Sequence, residues 1–199
     1  MLGYPHDVEQ MMLGESGILK HMKKGSFVID HTTSTPSLAV KIAEEALKFG
    51  VKSIDAPVSG GDVGAKNGCL VVMCGGEKAD LESVQGVMAH YSQQIEWMGG
   101  PGAGQHTKAA NQIMVGNNLF GVCESLIYGH KAGLNLQQMI TLLNKGAAGS
   151  ASLEKLGPRM LRRDFDPGFY VEHFMKDLNI CVSECEAMGL NLPGMLQTK

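Results

Sequence analysis

Three polar side chains on a predicted helix are spaced so that they share one face. Lys108, Asn111 and Gln112 stand at positions i, i+3 and i+4, and side chains at this spacing are neighbours on a helix surface. A lysine ammonium can donate a proton to an alkoxide that forms in a reaction, and amides beside it can orient a hydroxyl or a carboxylate. The pattern favours proton transfer at Lys108, although an exposed surface lysine would show the same spacing.

Two loops rich in hydroxyls and glycines follow predicted strands. One loop spans residues 30–36 and the other spans residues 55–61. Ligands bind at the carboxyl ends of strands in open α/β sheets, and exposed backbone N–H groups there favour an anionic group. Both loops also have a purely structural interpretation. Thr35 before Pro36 fits a helix N-cap, and Ser59-Gly60-Gly61 fits a plain turn.

A pair of charged residues is a third candidate for a functional site, and several nucleotide- and metal-binding motifs are absent from the sequence. Lys176 and Asp177 form a charged pair within an apolar stretch, a pattern that an ordinary amphipathic turn also produces. The sequence has no GxGxxG turn, which binds the pyrophosphate of a dinucleotide, and no P-loop. Its seven histidines lack a metal-ligand spacing such as HExxH, so we expect no metal site.

The first half of the chain alternates short apolar runs with helical patterns. Strands are predicted at residues 27–30, 51–55, 70–73 and 94–97, and helices after Pro5, from Pro36 to Gly50 and near 77–89. Strand, helix and strand in succession indicate a βαβ unit with parallel strands buried on both faces. Residues 1–100 are therefore predicted to form an α/β part with a parallel sheet.

The second half of the chain predicts helices and no convincing strand. Helices are expected at about 104–132, 135–145, 151–162 and 169–188. We therefore place a domain boundary near residue 100, with an all-helical domain over residues 101–199. The pattern therefore predicts a fold class of α/β followed by all-α. Lys108 follows this boundary closely, where clefts form.

Composition excludes several classes of protein and of partner. The 199 residues are 44% hydrophobic with a net charge of −3, and they lack the concentrated Lys and Arg that a nucleic-acid surface needs. No apolar stretch is long enough to cross a membrane. Five cysteines without a CxxC pair indicate reduced thiols and an intracellular setting. We expect a cytoplasmic protein, or a mitochondrial one if a targeting segment precedes residue 1.

Three motifs resemble those of the β-hydroxyacid dehydrogenases, in the same order and at similar spacing. This family includes 3-hydroxyisobutyrate dehydrogenase, glyoxylate/succinic semialdehyde reductases and, more distantly, 6-phosphogluconate dehydrogenase. The motifs are Asp55-Ala-Pro-Val-Ser-Gly-Gly, Gly102-x-Gly104-x-x-x-Lys108 and Lys176-Asp177-Leu178. The resemblance implies that Lys108 is the general acid/base. It also implies substrate binding by Ser59, Gly60, Gly61, Asn111 and Gln112, and cofactor binding by Leu2, Thr33 and Lys176.

Two departures from the family pattern affect these expectations. The family has Asn four residues after the catalytic lysine, where this chain has Gln112 preceded by Asn111. That variant resembles plant-type 3-hydroxyisobutyrate dehydrogenase-like members. The family also begins well upstream with a glycine-rich turn and continues past residue 193, so the resemblance implies that this chain is truncated at both ends. It therefore implies an incomplete Rossmann-type parallel sheet over residues 1–100, the C-terminal part of a dinucleotide-binding domain, followed by a helical C-terminal domain over residues 101–199.

The resemblance implies an oxidoreductase that interconverts a small 3-hydroxy acid, such as 3-hydroxyisobutyrate, and its semialdehyde. The cofactor would be NAD or NADP, the substrate a small carboxylate, and the assembly a homo-oligomer built through the helical domain. Two other classes fit the same residues. One is a catalytically inactive fragment or interaction module that retains the family fold, and the other is a small-acid binding protein without redox chemistry.

Overall fold

A computed structural model describes residues 1–166 and 168–199. The chain divides into two compact units, which we call unit 1 and unit 2. Unit 1 comprises residues 1–110 and 168–180, and unit 2 comprises residues 111–167 and 181–199. In the described part of the chain, every helix is too short or too polar to span a bilayer.

Unit 1 is built on a five-stranded sheet. Its strands are β1 (Phe27–Asp30), β2 (Lys52–Asp55), β3 (Val58–Ser59), β4 (Leu70–Gly75) and β5 (Ser92–Gly99). β1 pairs with β2 in parallel, and β4 pairs with β5 in parallel. β4 runs antiparallel to both β2 and β3. The Rossmann-like fold class is confirmed, but the sheet is mixed rather than purely parallel.

The short connection between β3 and β4 explains why the sheet is mixed. Only residues 60–69 join the two strands, and they contain the six-residue helix α3 (Gly61–Lys66). A parallel return needs a crossover of a dozen or more residues, usually with a full helix. This shorter link therefore turns the chain back, so that β4 runs against β3.

Helices cover both faces of the sheet. They are α1 (Pro5–Leu13), a 3₁₀ turn (Ile18–His21), α2 (Pro36–Lys48) and α4 (Lys78–Met88). Val28 of β1 packs in a core cluster with side chains of α1 and α2. The neighbouring residues Phe27 and Ile29 pack in a second cluster with side chains of α4. Successive strand residues point to opposite faces, so the two clusters lie on opposite sides of β1.

The remaining helices follow β5. They are α5 (Ala103–Lys131), α6 (Leu136–Leu143), α7 (Ala151–Leu161), α8 (Val171–Ala187) and α9 (Pro193–Thr198). Among the residues that the structure describes, no strand follows Gly99, so the predicted all-helical second half is confirmed. The compact units are nevertheless not cut at residue 100, because α5 as far as residue 110 and residues 168–180 belong to unit 1. The domain bounds 1–100 and 101–199 stay a prediction.

Unit 2 has its own small core. Val122 and Leu126 of α5 pack with Ile140 of α6 and Leu153 of α7. The helices approach closely at Gly129, where an added Cβ atom would lie 2.7 Å from the sulfur of Met139.

The beginning of α5 lies against the sheet with almost no space for side chains. A Cβ atom at Gly104 would lie 2.5 Å from the carbonyl oxygen of Met73 and 2.6 Å from that of Asp55. Both atoms belong to backbone, which cannot move aside as a flexible side chain can. Glycine at this position therefore lets the helix reach β2 and β4.

We predict that Gly104→Ala destabilises the protein by about 1–3 kcal/mol or more, because overpacking forces the backbone to shift. Gly121 offers a matched control in the same helix, since a Cβ atom there meets nothing within 4 Å. Gly121→Ala should stabilise the helix by about 0.5–1 kcal/mol. Urea unfolding of both variants measures the difference, and equal midpoints would show that the close approach at Gly104 has been misjudged.

Candidate active site

Hydrogen bonds within the loop after β1, residues 30–35, and from the beginning of the chain hold this loop in place. The backbone N–H of Thr32 donates to Oδ1 of Asp30 at 2.9 Å, and the backbone N–H of Leu2 donates to Oγ1 of Thr32 at 2.8 Å. Thr35 caps α2 by accepting from the backbone N–H of Leu38. The predicted N-cap is therefore present in the same loop as the proposed cofactor residue Thr33.

Lys176 reaches the same loop from α8. Its ammonium group donates to the carbonyl oxygen of Thr33 at 2.7 Å and forms an ion pair with Asp177 at 2.9 Å. The Lys176 side chain is only 12% exposed. Leu2, Thr33 and Lys176, which come from three distant parts of the sequence, thus meet at one loop. Their role in cofactor binding stays a prediction.

Lys108 is buried, with only 7% of the residue exposed. The alternative of an ordinary surface lysine is therefore wrong. Its ammonium group donates to the carbonyl oxygen of Val58 at 2.8 Å. Val58 directly precedes Ser59 in β3, so the amine lies beside the loop predicted to bind the substrate. This position does not test the catalytic role of Lys108, which stays a prediction.

The segment Ser59-Gly60-Gly61 is an open stretch of backbone. Gly60 and Gly61 have φ angles of +129° and +64°, in the region that only glycine adopts readily. Both glycines are exposed, and a Cβ atom at Gly61 would meet nothing within 4 Å. An approaching ligand would therefore meet backbone rather than a side chain at Gly60 and Gly61.

Asn111 and Gln112 form an amide pair. Nδ2 of Asn111 donates to Oε1 of Gln112 at 2.8 Å, and Gln112 is only 3% exposed. Both residues belong to unit 2, whereas Lys108 belongs to unit 1. Their predicted role in orienting the substrate stays a prediction.

Asp55 is a buried carboxylate that the sequence did not single out as functional. Its Oδ1 accepts from the backbone N–H of Gly102 at 2.8 Å, and its Oδ2 accepts from that of Gln105 at 2.9 Å. Burial raises the pKa of the Asp55 carboxyl, and these N–H groups act in the opposite direction. A carboxylate at a helix N-terminus satisfies donors that have no partner within the helix. Asp55 therefore fixes the start of the helix that carries Lys108.

Gln105 is a second residue that sequence reasoning missed. It is only 1% exposed. Its Nε2 donates to the carbonyl oxygen of Thr32 at 2.7 Å, and its Oε1 accepts from the backbone N–H of Ser34 at 2.9 Å. Nothing in the local pattern indicates these contacts, because a glutamine on a helix is usually exposed.

His31 joins the loop after β1 to the loop after β2. Its Nδ1 lies 2.6 Å from the carbonyl oxygen of Ala56, and its Nε2 lies 2.9 Å from the hydroxyl of Tyr91. A carbonyl group only accepts, so Nδ1 carries the hydrogen of the contact with Ala56. Burial raises the pKa of Tyr91, so its hydroxyl group stays protonated at neutral pH.

Two other kinds of chemistry are not supported at this site. Burial raises the pKa of Cys74 to about 12, with the charges of Asp55 and Glu96 acting in the same direction. The thiol therefore stays protonated at neutral pH and is a poor nucleophile. Within the described residues, no group of three or more His, Cys, Asp or Glu side chains is placed to hold a metal ion.

Two family profiles together match almost the whole chain. Residues 1–100 match the NAD binding domain of 6-phosphogluconate dehydrogenase. Residues 102–199 match the profile described as NAD-binding of NADP-dependent 3-hydroxyisobutyrate dehydrogenase.

Several curated proteins are similar over nearly all of the chain. An uncharacterized oxidoreductase of Bacillus subtilis, YkwC, is 47% identical over 100% of this chain and 69% of its own length. The probable 3-hydroxyisobutyrate dehydrogenase-like 1, mitochondrial, of Arabidopsis thaliana is 47% identical over 98% and 58%. The 2-hydroxy-3-oxopropionate reductase of Escherichia coli is 38% identical over 94% and 64%. The chain thus spans about 58–69% of these relatives.

Solved structures show the same architecture. The 3-hydroxyisobutyrate dehydrogenase (ygbJ) from Salmonella typhimurium matches with a TM-score of 0.88 at 26% identity, over 99% of this chain and 69% of that one. The Mycobacterium tuberculosis 3-hydroxyisobutyrate dehydrogenase with L-serine matches with a TM-score of 0.90 at 24% identity, over 100% and 69%. The second likeness is one of fold alone.

We predict that Asp55→Asn destabilises the protein by about 1.5–3 kcal/mol, because the new amide turns an N–H group toward a backbone N–H donor. The exposed Asp62→Asn is the matched control. It loses a surface ion pair with Lys66 and keeps an amide oxygen that can accept from the backbone N–H of Val63, so it should change stability little. Chemical denaturation gives both values. An Asp55→Asn variant as stable as the Asp62→Asn variant would show that the carboxylate does not hold the helix.

Proposed function

Because the chain belongs to the NAD-binding 3-hydroxyisobutyrate dehydrogenase-like family, we propose that it interconverts a small 3-hydroxy acid and its semialdehyde with NAD or NADP. The observation that carries this proposal is the buried Lys108, whose ammonium group lies beside the glycine-rich substrate loop. The family supports a nicotinamide-dependent hydroxyacid dehydrogenase in general. A substrate like 3-hydroxyisobutyrate is the finer part of the proposal.

The loop after β1 fits a nicotinamide cofactor. It follows a parallel strand, at the end of the sheet where nucleotides bind in such folds. Thr33 is partly exposed between the buried residues Thr32 and Ser34, and Lys176 adds a cation at its carbonyl group. Leu2, Thr33 and Lys176 would hold the cofactor, which supplies or accepts a hydride at the substrate carbon when it is bound.

Lys108 would move the proton. In the direction of reduction, its ammonium group donates a proton to the aldehyde oxygen as that oxygen gains negative charge. In the direction of oxidation, the neutral amine accepts the hydroxyl proton. The carbonyl group of Val58 accepts one hydrogen bond from the amine, which sets the position of the nitrogen beside the substrate loop.

The substrate carboxylate would bind at Ser59, Gly60 and Gly61. Open peptide groups of this kind suit an anion because their N–H dipoles point at negative charge. The cation of Lys108 at the neighbouring residue Val58 adds to the attraction. Asn111 and Gln112 would orient the hydroxyl of the substrate, with Gln112 in the place where the family has asparagine.

An interaction module is the second candidate, and the surface of unit 2 favours it. Ile127 and Tyr128 of α5 are 64% and 74% exposed, and Leu142 of α6 is 72% exposed. Aromatic residues are enriched at the buried centres of protein interfaces, which are also more apolar than their rims. We propose that this surface forms a homo-oligomer, which is compatible with either function.

We further propose that the protein acts in the cytoplasm or in a mitochondrion. The five cysteines all lie among the described residues and form no disulfide bond there, as is usual for thiols in a reducing compartment. The plant relative 3-hydroxyisobutyrate dehydrogenase-like 1 carries the word mitochondrial in its name.

The Lys108 role predicts that Lys108→Ala lowers turnover by about 10²–10⁴-fold, the usual contribution of a positioned acid–base group. Lys131→Ala changes an exposed lysine at the other end of the same helix and should leave turnover unchanged. Steady-state oxidation of 3-hydroxyisobutyrate measures both, with thermal unfolding to check that each variant is folded. Turnover of Lys108→Ala within about tenfold of the unsubstituted protein would remove this residue from the mechanism.

The proposed cofactor predicts saturable binding of NADPH or NADH, with affinity in the range of about 1 μM to 1 mM that enzymes show for their substrates. The enhanced fluorescence of the bound dihydronicotinamide measures it, and the ratio of the two affinities identifies the cofactor. Binding of 3-hydroxyisobutyrate without binding of either nucleotide would support a small-acid binding protein. Binding of none of these ligands would support an interaction module.

A further inference from the structure

The side-chain amide of Gln105 holds two peptide groups of one loop. Its N–H group donates to the carbonyl oxygen of Thr32, and its oxygen accepts from the backbone N–H of Ser34. These two peptide groups flank Thr33, the residue proposed to contact the cofactor. The loop is thus held at both sides of Thr33 by a residue more than 70 positions away in the sequence.

A primary amide is well suited to this position. It carries a donor and an acceptor on neighbouring atoms, so it pairs with a peptide backbone in the way that an adjacent strand does. The residue is 1% exposed, so water cannot easily replace either hydrogen bond. A methionine of similar length would fill the space and offer neither hydrogen bond.

The amide itself is anchored at the start of α5. The backbone N–H of Gln105 donates to the buried carboxylate of Asp55, and the same helix carries Lys108 three residues later. The loop conformation and the position of the proposed proton donor therefore share one anchor.

We propose that Gln105 is a positioning residue that presets Thr33 for the nicotinamide cofactor and ties it to the helix of Lys108. The inference rests on the proposed function, because it assigns the loop after β1 to the cofactor. Gln105 itself touches the loop and not the reacting atoms. Its effect therefore falls on the fraction of molecules whose loop is ready to bind.

Gln105→Met should raise the dissociation constant for NADPH or NADH about tenfold, because apparent affinity falls with the fraction of the binding-competent conformation. The turnover number at saturating nucleotide should stay within about threefold, since the bound nucleotide restores the loop. A merely structural role would instead lower turnover through loss of folded protein and leave the dissociation constant unchanged. Gln85→Met, at an exposed position of α4, is the control and should change neither value.

Gln105→Glu adds a pH profile as a second readout. A protonated glutamic acid can donate to the Thr32 carbonyl and accept from the Ser34 N–H, whereas the carboxylate can only accept. Burial and the nearby carboxylates of Asp55 and Asp30 oppose ionisation, and the ammonium group of Lys176 on the Thr33 carbonyl favours it. Relative to the unsubstituted protein, the dissociation constant of Gln105→Glu should rise between about pH 5 and pH 9. The dissociation constant of Gln105→Met should keep a constant ratio to that of the unsubstituted protein over the same pH range.

Hydrogen exchange of the Ser34 amide tests the positioning role of Gln105 separately from the proposed nicotinamide-dependent function. Gln105→Met should exchange this hydrogen at least about tenfold faster, because its acceptor is gone. An unchanged exchange rate, or nucleotide affinity within twofold of the unsubstituted protein, would overturn the positioning role. If the unsubstituted protein bound neither nucleotide, the proposed function would fail. Unchanged exchange of the Ser34 amide in Gln105→Met would still contradict the positioning role of Gln105.

Discussion

A buried carboxylate holds together the parts of unit 1 that lie around Lys108. Asp55 ends β2, and its two oxygens accept from the backbone N–H groups of Gly102 and Gln105 at the beginning of α5. Buried carboxylates are costly unless hydrogen bonds compensate them, and the first turn of a helix is a source of donors that need a partner. The two requirements satisfy each other here. The direction and depth of the helix that carries Lys108 follow from this contact.

The rest of the site is arranged around this junction. Glycine at 75 and at 104 lets the strands and the helix approach so closely that a Cβ atom at Gly75 would lie 2.5 Å from the Asp55 carboxylate. With the helix fixed at that depth, the Gln105 amide reaches the loop after β1 and the Lys108 amine reaches the carbonyl of Val58. The beginning of α5 therefore forms hydrogen bonds with two segments of the chain, the loop after β1 and strand β3.

Sequence reasoning predicted the parts of the structure that depend on local signals. β1 was predicted at 27–30, where it is observed, because a short apolar run there ends at Asp30. α2 begins at Pro36 after the capping residue Thr35, as the Thr-Pro pair indicates. The sequence does not predict that β4 runs antiparallel to β2 and β3, because strand direction depends on the length of a connection rather than on the residues of the strand. Gln105 and His31 were missed because their partners lie far along the chain.

The geometry also explains why the motifs needed one another to be informative. A lysine on a helix, a glycine pair and a Lys-Asp pair each have an ordinary structural explanation, and none of them alone indicates a site. In the folded chain, Lys108 donates a hydrogen bond to Val58, the residue before Ser59, and Lys176 donates one to Thr33. A reaction that moves a hydride and a proton to the same carbonyl group needs its two donors on rigid supports at a fixed separation. A helix start anchored on a strand end provides such a support, because neither partner can shift without leaving the buried carboxylate of Asp55 and the N–H groups unpaired.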